Sequence, residues 1–411
     1  MIHKPLSLPK IESLVAKGIT PALTTGSRTL VIIPDASRSA PIPAAFSVIS
    51  RLAAEANCHV DFLIALGTHP ALSPAEIGSL IGMPLDQVQS DFPETRIWNH
   101  NWLDRDQLIN LGRISAEEVD VLSSGLMKED IAVNINKIIN DYDQLAVCGP
   151  VFPHEVAGFS GGAKYFFPGI AGEEIIHLTH WLGALATAMH TIGVKDTPVR
   201  RIIERAAEFI KTPVTHIAFC MQGSDTLGIF SGGLNAAWQA AAALSAEVNI
   251  RHLDKQYKSV LSMPAPIYDE LWTAAKAMYK LEAVVEDGGE LIIYAPWLKE
   301  ISRTHFKDIL AVGYHTRDYF TSQWDKFKGH PLAVLAHSTH VKGAGIMQNG
   351  IEKARIHVIL ATGIPKEICD KVNLGYLDPL GIDPSDWENG RPGGKLFVPD
   401  AGEVLYQFYS S

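Results

Sequence analysis

Cysteine is scarce and scattered in this sequence, with Cys58, Cys148, Cys220 and Cys369 its only four. No two lie close enough to suggest a thiolate metal site or a disulfide framework. Each sits inside an apolar run such as LAVCGPV or HIAFCMQ, the setting of a buried reduced thiol. Positive charge is short as well: 35 Lys and Arg stand against 45 Asp and Glu, a formal net charge of −10. Such a chain has no long-range attraction for nucleic acid or an anionic membrane, so neither is expected as a partner, and an anionic metabolite must be gripped by a few local cations. No uninterrupted apolar segment of roughly 18 residues occurs. The start, MIHKPLSLPKIESLVAKG, lacks a charged n-region followed by a long apolar core, so a soluble cytoplasmic protein is expected. A G-x-G-x-x-G dinucleotide fingerprint is missing too, which counts against a nicotinamide-dependent dehydrogenase.

What is present is a large apolar fraction in a long chain. At 411 residues with 47% hydrophobic content, the sequence can bury more than one core, and two domains are expected. Short apolar runs alternate with helical patterns: TLVIIPD, PIPAAFSVISRLAAEAN, HVDFLIALGTH and SPAEIGSLIG. Parallel sheets require this order, because each crossover needs a helix to cover a sheet face. Ser73 followed by Glu76 makes a capping box. QLAVCGPV and THIAFCMQG continue as strands, then the helix LNAAWQAAAALSAEV. A second set runs YKSVLSMPA, the helix YDELWTAAKAMYKL, GELIIYAP, PLAVLAHST and RIHVILATG, the last three read as strands. The charged stretch NIRHLDKQY places the division at 252/253, giving an N-terminal α/β domain, 1–252, and a C-terminal one, 253–411. The fold class expected is two α/β domains with mainly parallel sheets.

In open α/β sheets ligands bind beyond the carboxyl ends of the strands. Asp35 and Arg38 end the first strand in PDASRSAP, and Thr68 and His69 end the second in ALGTHP. A turn of Asp, Ser and Pro accounts for the first alone. Together the two ends put a carboxylate, a guanidinium and an imidazole on one rim. A third end leads into PHEVAGFSGGAKYFFPGIAGEEIIHLTH, residues 153–180. There GFSGGAK resembles a phosphate-binding glycine loop: Gly161 and Gly162 allow close approach of the backbone, and Lys164 neutralises charge. No Ser or Thr follows Lys164 and the glycine spacing differs from a P-loop, which disfavours a nucleotide triphosphatase. His177 and His180, three apart on one helix, are each a candidate metal ligand, and spacing does not choose between them.

These pieces, taken together, resemble the nickel-pincer-nucleotide lactate racemases and related 2-hydroxyacid racemases and epimerases. The carriers are DASR, GTH, PHEVAGFSGGAKYFFPG, a histidine 16 residues beyond its lysine, and WTAAK, in family order from residue 35 to 276. The resemblance implies two α/β domains with the active site in the interdomain cleft. It also implies a pyridinium-3,5-bisthiocarboxylic acid mononucleotide carrying nickel and attached at Lys164. His180 matches the protein's nickel ligand, Asp35 a cofactor contact, and His69 and His154 the paired acid and base. Arg38 and Lys276 match cations that hold substrate oxygens, and separate cofactor-maturation proteins are implied as partners. His177 then drops to a structural role.

The residue types suit that chemistry. A 2-hydroxy acid has a weakly acidic C2–H beside a carboxylate, so loss of hydride, giving a planar keto acid, is the easier route to inversion. The cofactor is the electron sink, and the protein supplies orientation and proton transfer. Two imidazoles serve the hydroxyls of two enantiomers, and Arg38 and Lys276 hold the anion. One departure concerns substrate. Thr273, preceded by Trp272, stands where the lactate racemases carry glutamine, and His315, His337 and His340 add polar candidates. A larger acid such as an aldonate fits these better than lactate. The competing reading is a non-catalytic protein that binds a nucleotide or sugar acid through the same glycine loop, which leaves His69, His154 and His180 unexplained.

Overall fold

A computed structural model describes residues 3–36, 39–387 and 394–409. The chain forms two compact units. The first comprises Met1–Phe152, Phe159–Thr179 and Lys195–Val248, and the second Pro153–Gly158, His180–Val194 and Asn249–Ser411. The division expected at 252/253 has its nearest counterpart at Val248/Asn249, and two short stretches, 153–158 and 180–194, group with the C-terminal residues.

The first unit is built on six strands: β1 (Arg28–Pro34), β2 (His59–Ala65), β3 (Ile97–Asn99), β4 (Gln144–Pro150), β5 (Val214–Gln222) and β6 (Asp225–Gly233), ordered β6-β5-β4-β1-β2-β3. All neighbours are parallel except the β5–β6 hairpin. That antiparallel edge was not expected from the sequence. Leu30, Val31, Ile32 and Ile33 of β1 are at most 1% exposed, as a central strand covered on both faces must be. Each such side chain contributes about 1.5–3 kcal/mol by leaving water. The helix α1 (Ile42–Glu55) lays Ala45, Phe46 and Ile49 on this sheet, with the Phe46 and Phe62 rings 4.8 Å apart. The next helix, α2 (Pro74–Ile81), starts at the expected capping box: Glu76 N–H donates to Ser73 Oγ (3.3 Å), and Ser73 N–H to the Glu76 carboxylate (2.7 Å).

The second unit holds a parallel five-stranded sheet, β7 (Tyr257–Pro264), β8 (Val285–Ala295), β9 (His357–Thr362), β10 (Gly375–Tyr376) and β11 (Lys395–Ala401), ordered β10-β9-β8-β7-β11. One element corrects the sequence reading. PLAVLAHST is not a strand but the start of a helix, Leu332–Lys342, whose residues Ala333–Val341 are all buried. A helix buried on every side loses the polar stripe that would reveal its period, so its apolar run reads equally as a core strand. YDELWTAAKAMYKL is likewise not one helix but two single turns, Leu271–Ala274 and Lys276–Tyr279. Among the described residues no helix is long and apolar enough to cross a membrane.

Candidate functional site

In the first unit the parallel register pairs Pro34 of β1 with Ala65 of β2, so the chain leaves both strands side by side. Asp35 follows one end and His69 lies four residues beyond the other. The His69 N–H bonded to Leu66 O (2.9 Å) and Gly67 N–H bonded to Gly169 O (3.0 Å) fix the turn. Asp35, 8% exposed, meets His69 with an Oδ2 to Nδ1 distance of 2.5 Å. An ionised carboxylate only accepts, so Nδ1–H donates and the Nε2 lone pair is left for a substrate proton. Arg38 lies outside the described residues.

The glycine turn that follows β4 is gripped from behind. Lys164, half-buried, sits in a tight turn, Gly162–Tyr165, and its N–H donates to Gly161 O (3.3 Å). Gly161 (φ 80°) and Gly162 (φ 61°) adopt the left-handed region, and a Cβ at Gly161 would come within 2.6 Å of Val151. The buried Arg200 guanidinium lies over the Trp238 ring (4.1 Å) and donates to Gly161 O (3.2 Å) and Phe159 O. Trp238 Nε1–H donates to Ser160 O (2.8 Å). Three successive carbonyls are thereby tied to one Arg–Trp pair. Neither residue stood out in the sequence, because the burial of an arginine is a tertiary fact that local pattern does not carry. His177 lies in this unit's share of the helix Glu173–Ala186; its ring is 6.0 Å from Trp102, and burial lowers its pKa.

In the second unit His154 is 9% exposed on a two-residue strand, and its Nδ1 accepts from Val156 N–H (3.1 Å). Glu155 Oε2 lies 3.5 Å from the same nitrogen. Burial alone would oppose ionisation of Glu155. The opposite effects of His154, its own backbone N–H, Lys276 and His340 outweigh it and hold the carboxyl well below its usual range. Lys276, 8% exposed, places Nζ 5.0 Å from the Tyr268 ring centroid. Glu155 went unnoticed in the sequence, although a carboxylate in the apolar stretch between Phe152 and Phe159 was a signal available there.

The remaining candidates separate into two kinds. Trp272 is stacked on His337 (centroids 4.0 Å, 15°) and faces His305 (4.4 Å), and its carbonyl accepts from His337 Nε2 (3.2 Å). Thr273 turns its hydroxyl back to Glu270 O (3.1 Å). Burial pushes His337 down to about 3 and His340 down to about 4, so both are neutral at pH 7. His315 is taken up in structure: its Nδ1 is 2.7 Å from Glu352 and its ring stacks on Tyr319 at 3.7 Å. His340 also lines a cavity of about 550 Å3 with Thr187, His190, Arg317 and Lys353.

His180, half-buried, lies in the second unit, and its imidazole is of a type that suits nickel. Among the described residues no three His, Cys, Asp or Glu side chains gather as a metal site. A metal held at His180 would need its other donors from a bound group, such as a pincer of two sulfurs and a carbon. Lys164 offers a primary amine on a fixed turn for attachment. The residues present fit such a group.

Comparison with known proteins bears on the same residues. Residues 11–193 match the model of the lactate racemase N-terminal domain. A lactate racemase of Thermoanaerobacterium thermosaccharolyticum is 26% identical over 282 residues, 66% of this chain and 61% of its own length. One from Lactiplantibacillus plantarum is 23% identical over 184 residues, 44% of this chain and 43% of its own. The chain thus matches less than two thirds of the length of these relatives. A crystal structure of a Thermotoga maritima protein superposes with TM-score 0.88 and 29% identity, covering 100% of both chains. The lactate racemase apoprotein of T. thermosaccharolyticum superposes with TM-score 0.75 and 18% identity, over 96% of this chain and 92% of that one, a likeness of fold.

Proposed function

We propose that the chain, which is similar to the lactate racemases, inverts C2 of a 2-hydroxy acid with the help of a bound nickel-pincer nucleotide. The observation that carries the reading is the Asp35–His69 pair at two adjacent strand ends. It presents an imidazole whose Nδ1 proton is committed and whose Nε2 is free to act as base. Lys164 would tether the nucleotide, with Gly161 and Gly162 in its turn, and His180 would bind the nickel. The chemistry supplied by the bound group is reversible acceptance of hydride from C2.

The chain's own residues do the rest. His69 serves the hydroxyl of one enantiomer and His154 that of the other: the neutral imidazole takes the proton as hydride leaves, and the protonated imidazole on the opposite side gives one when the keto acid is reduced on the other face. Lys276 and Arg38 hold the carboxylate. Asp35 keeps His69 in the reactive tautomer whether or not it also touches the cofactor. A 2-hydroxy acid longer than lactate, such as an aldonate, is the proposed substrate. It is supported by the short Thr273, whose hydroxyl is already engaged, and by the cavity at His340, which Thr187, His190, Arg317 and Lys353 also line. Separate maturation proteins would load the cofactor in the cytoplasm.

The test is to produce the chain alongside cofactor-synthesis enzymes and offer it acids from lactate and malate to gluconate, deuterated at C2. Expected are sulfur-bound nickel, a mass addition at Lys164 that vanishes in Lys164→Ala, and inversion of at least one acid with the deuterium retained. Retention marks hydride return, whereas proton abstraction would lose the label to water. Protein with neither nickel nor mass addition, inert toward every acid, would sink the reading.

A further inference from the structure

The neutral form of His154 in this structure is the wrong one for the work assigned to it. Val156 N–H occupies the Nδ1 lone pair, so the ring proton sits on Nε2. A base must present a bare Nε2, which requires the proton on Nδ1, and an imidazolium acid carries protons on both nitrogens. In either working form Nδ1–H needs an acceptor. One oxygen is in place: Glu155 Oε2, fully buried, with no hydrogen-bond partner, 3.5 Å from Nδ1. A buried carboxylate oxygen left unsatisfied is costly, so its persistence calls for a use.

We propose that Glu155 is the positioning residue of His154: a small rotation releases Nδ1 from Val156 and gives its proton to Glu155 Oε2 as a hydrogen bond. This rests on the function proposed above and deepens it. When Nε2 takes the substrate hydroxyl proton, the imidazolium formed faces an ionised carboxylate across Nδ1. No proton passes to Glu155, and the same Nε2 proton returns to the substrate oxygen on reversal. The other groups facing Glu155 are Lys276, from its short helix, and His340, from the helix Leu332–Lys342. Lys276 keeps the carboxylate ionised by its charge, and His340, held neutral at pH 7 by burial, sets no negative charge beside it.

The experiment uses the full-length chain without cofactor, so it stands apart from turnover. Histidine-labelled protein is titrated by NMR, and the His154 signal is identified by its loss in His154→Ala. In Glu155→Gln the imidazole should titrate at least about one pH unit lower than in the native chain, the effect of removing an opposite charge within hydrogen-bonding reach. A smaller difference overturns the proposal. Should Glu155→Gln not fold, Glu155→Asp decides: the carboxylate withdrawn by one methylene should shift the titration in the same direction, and an unmoved titration overturns the idea. If the loaded native chain inverts no hydroxy acid, the functional reading fails while this measurement still settles the pairing.

Discussion

His69 and His154 each stand beside a carboxylate, yet the chain supplies the two partners in different ways. Asp35 is 34 residues from His69 and is delivered by the parallel register of β1 and β2, which ends both strands together, and the contact closes to 2.5 Å. Glu155 is the next residue after His154 and comes no nearer than 3.5 Å. Glu155 opens the turn, residues 155–157, that follows the two-residue strand, and consecutive side chains leave the backbone in different directions, so chain neighbours meet poorly while strand neighbours meet well. Surroundings differ too: the His69 side chain is 40% exposed and that of His154 11%. The first pair is set in the resting protein. The second is poised, and its carboxylate has more leverage because less water screens it.

The sharpest way to break this comparison is Asp35→Asn in the cofactor-loaded chain. The amide can donate as well as accept and no longer enforces Nδ1–H, so the wrong tautomer becomes accessible. We expect kcat for inversion to fall roughly 10²- to 10⁴-fold, with the nickel content unchanged as the control that the cofactor is still held. A loss smaller than about tenfold would mean that His69 does not depend on Asp35 for its tautomer.

A second test concerns the scaffold of Lys164. Arg200→Met keeps much of the buried volume but removes the donors to Phe159 O and Gly161 O and the contact with Trp238. Leaving a buried carbonyl without its donor costs about 1–3 kcal/mol. Urea unfolding should show that loss, together with weaker attachment at Lys164. An unchanged midpoint would show that the turn holds itself.

The strand ends were legible because periodicity and turn chemistry are local. The run TLVIIPD had to be a covered strand, and the rule that ligands gather beyond carboxyl ends placed Asp35 and His69 on one rim without knowledge of their bond. Ser73 and Glu76 were readable as a cap for the same reason. The elements misread are those whose environment is tertiary: the helix Leu332–Lys342 is buried on all sides and shows no amphipathic stripe, and the segment Tyr268–Leu281 breaks into single turns at the cluster around Lys276. Among single residues, Arg200 and Glu155 were missed because a charge announces itself in sequence as solvated surface. Only packing shows that one is clamped on a glycine turn and the other set beside His154, Lys276 and His340.

The smallest effect extends the comparison to the two units as wholes. Each encloses two neutral imidazoles: burial pushes His100 and His216 down to about 4 in the first, and His337 to about 3 and His340 to about 4 in the second. In the unfolded chain these rings titrate near 6.5. Between pH 6.5 and 4 the unfolded state therefore binds more protons, so stability is full above 6.5 and is lost as pH falls through that window. Each histidine accounts for at most about 1.4 kcal/mol per pH unit. His100 suits a test because its bonds are those of an amide: Nε2 donates to Ala171 O (2.9 Å) and Nδ1 accepts from Asn136 (3.1 Å). In His100→Gln the slope of unfolding free energy against pH, measured in urea between pH 6 and 5, should be shallower by about 1 kcal/mol per unit. An equal slope in the two proteins would mean that the first unit relaxes to let this ring charge, and that its core is softer toward acid than the buried cluster of the second.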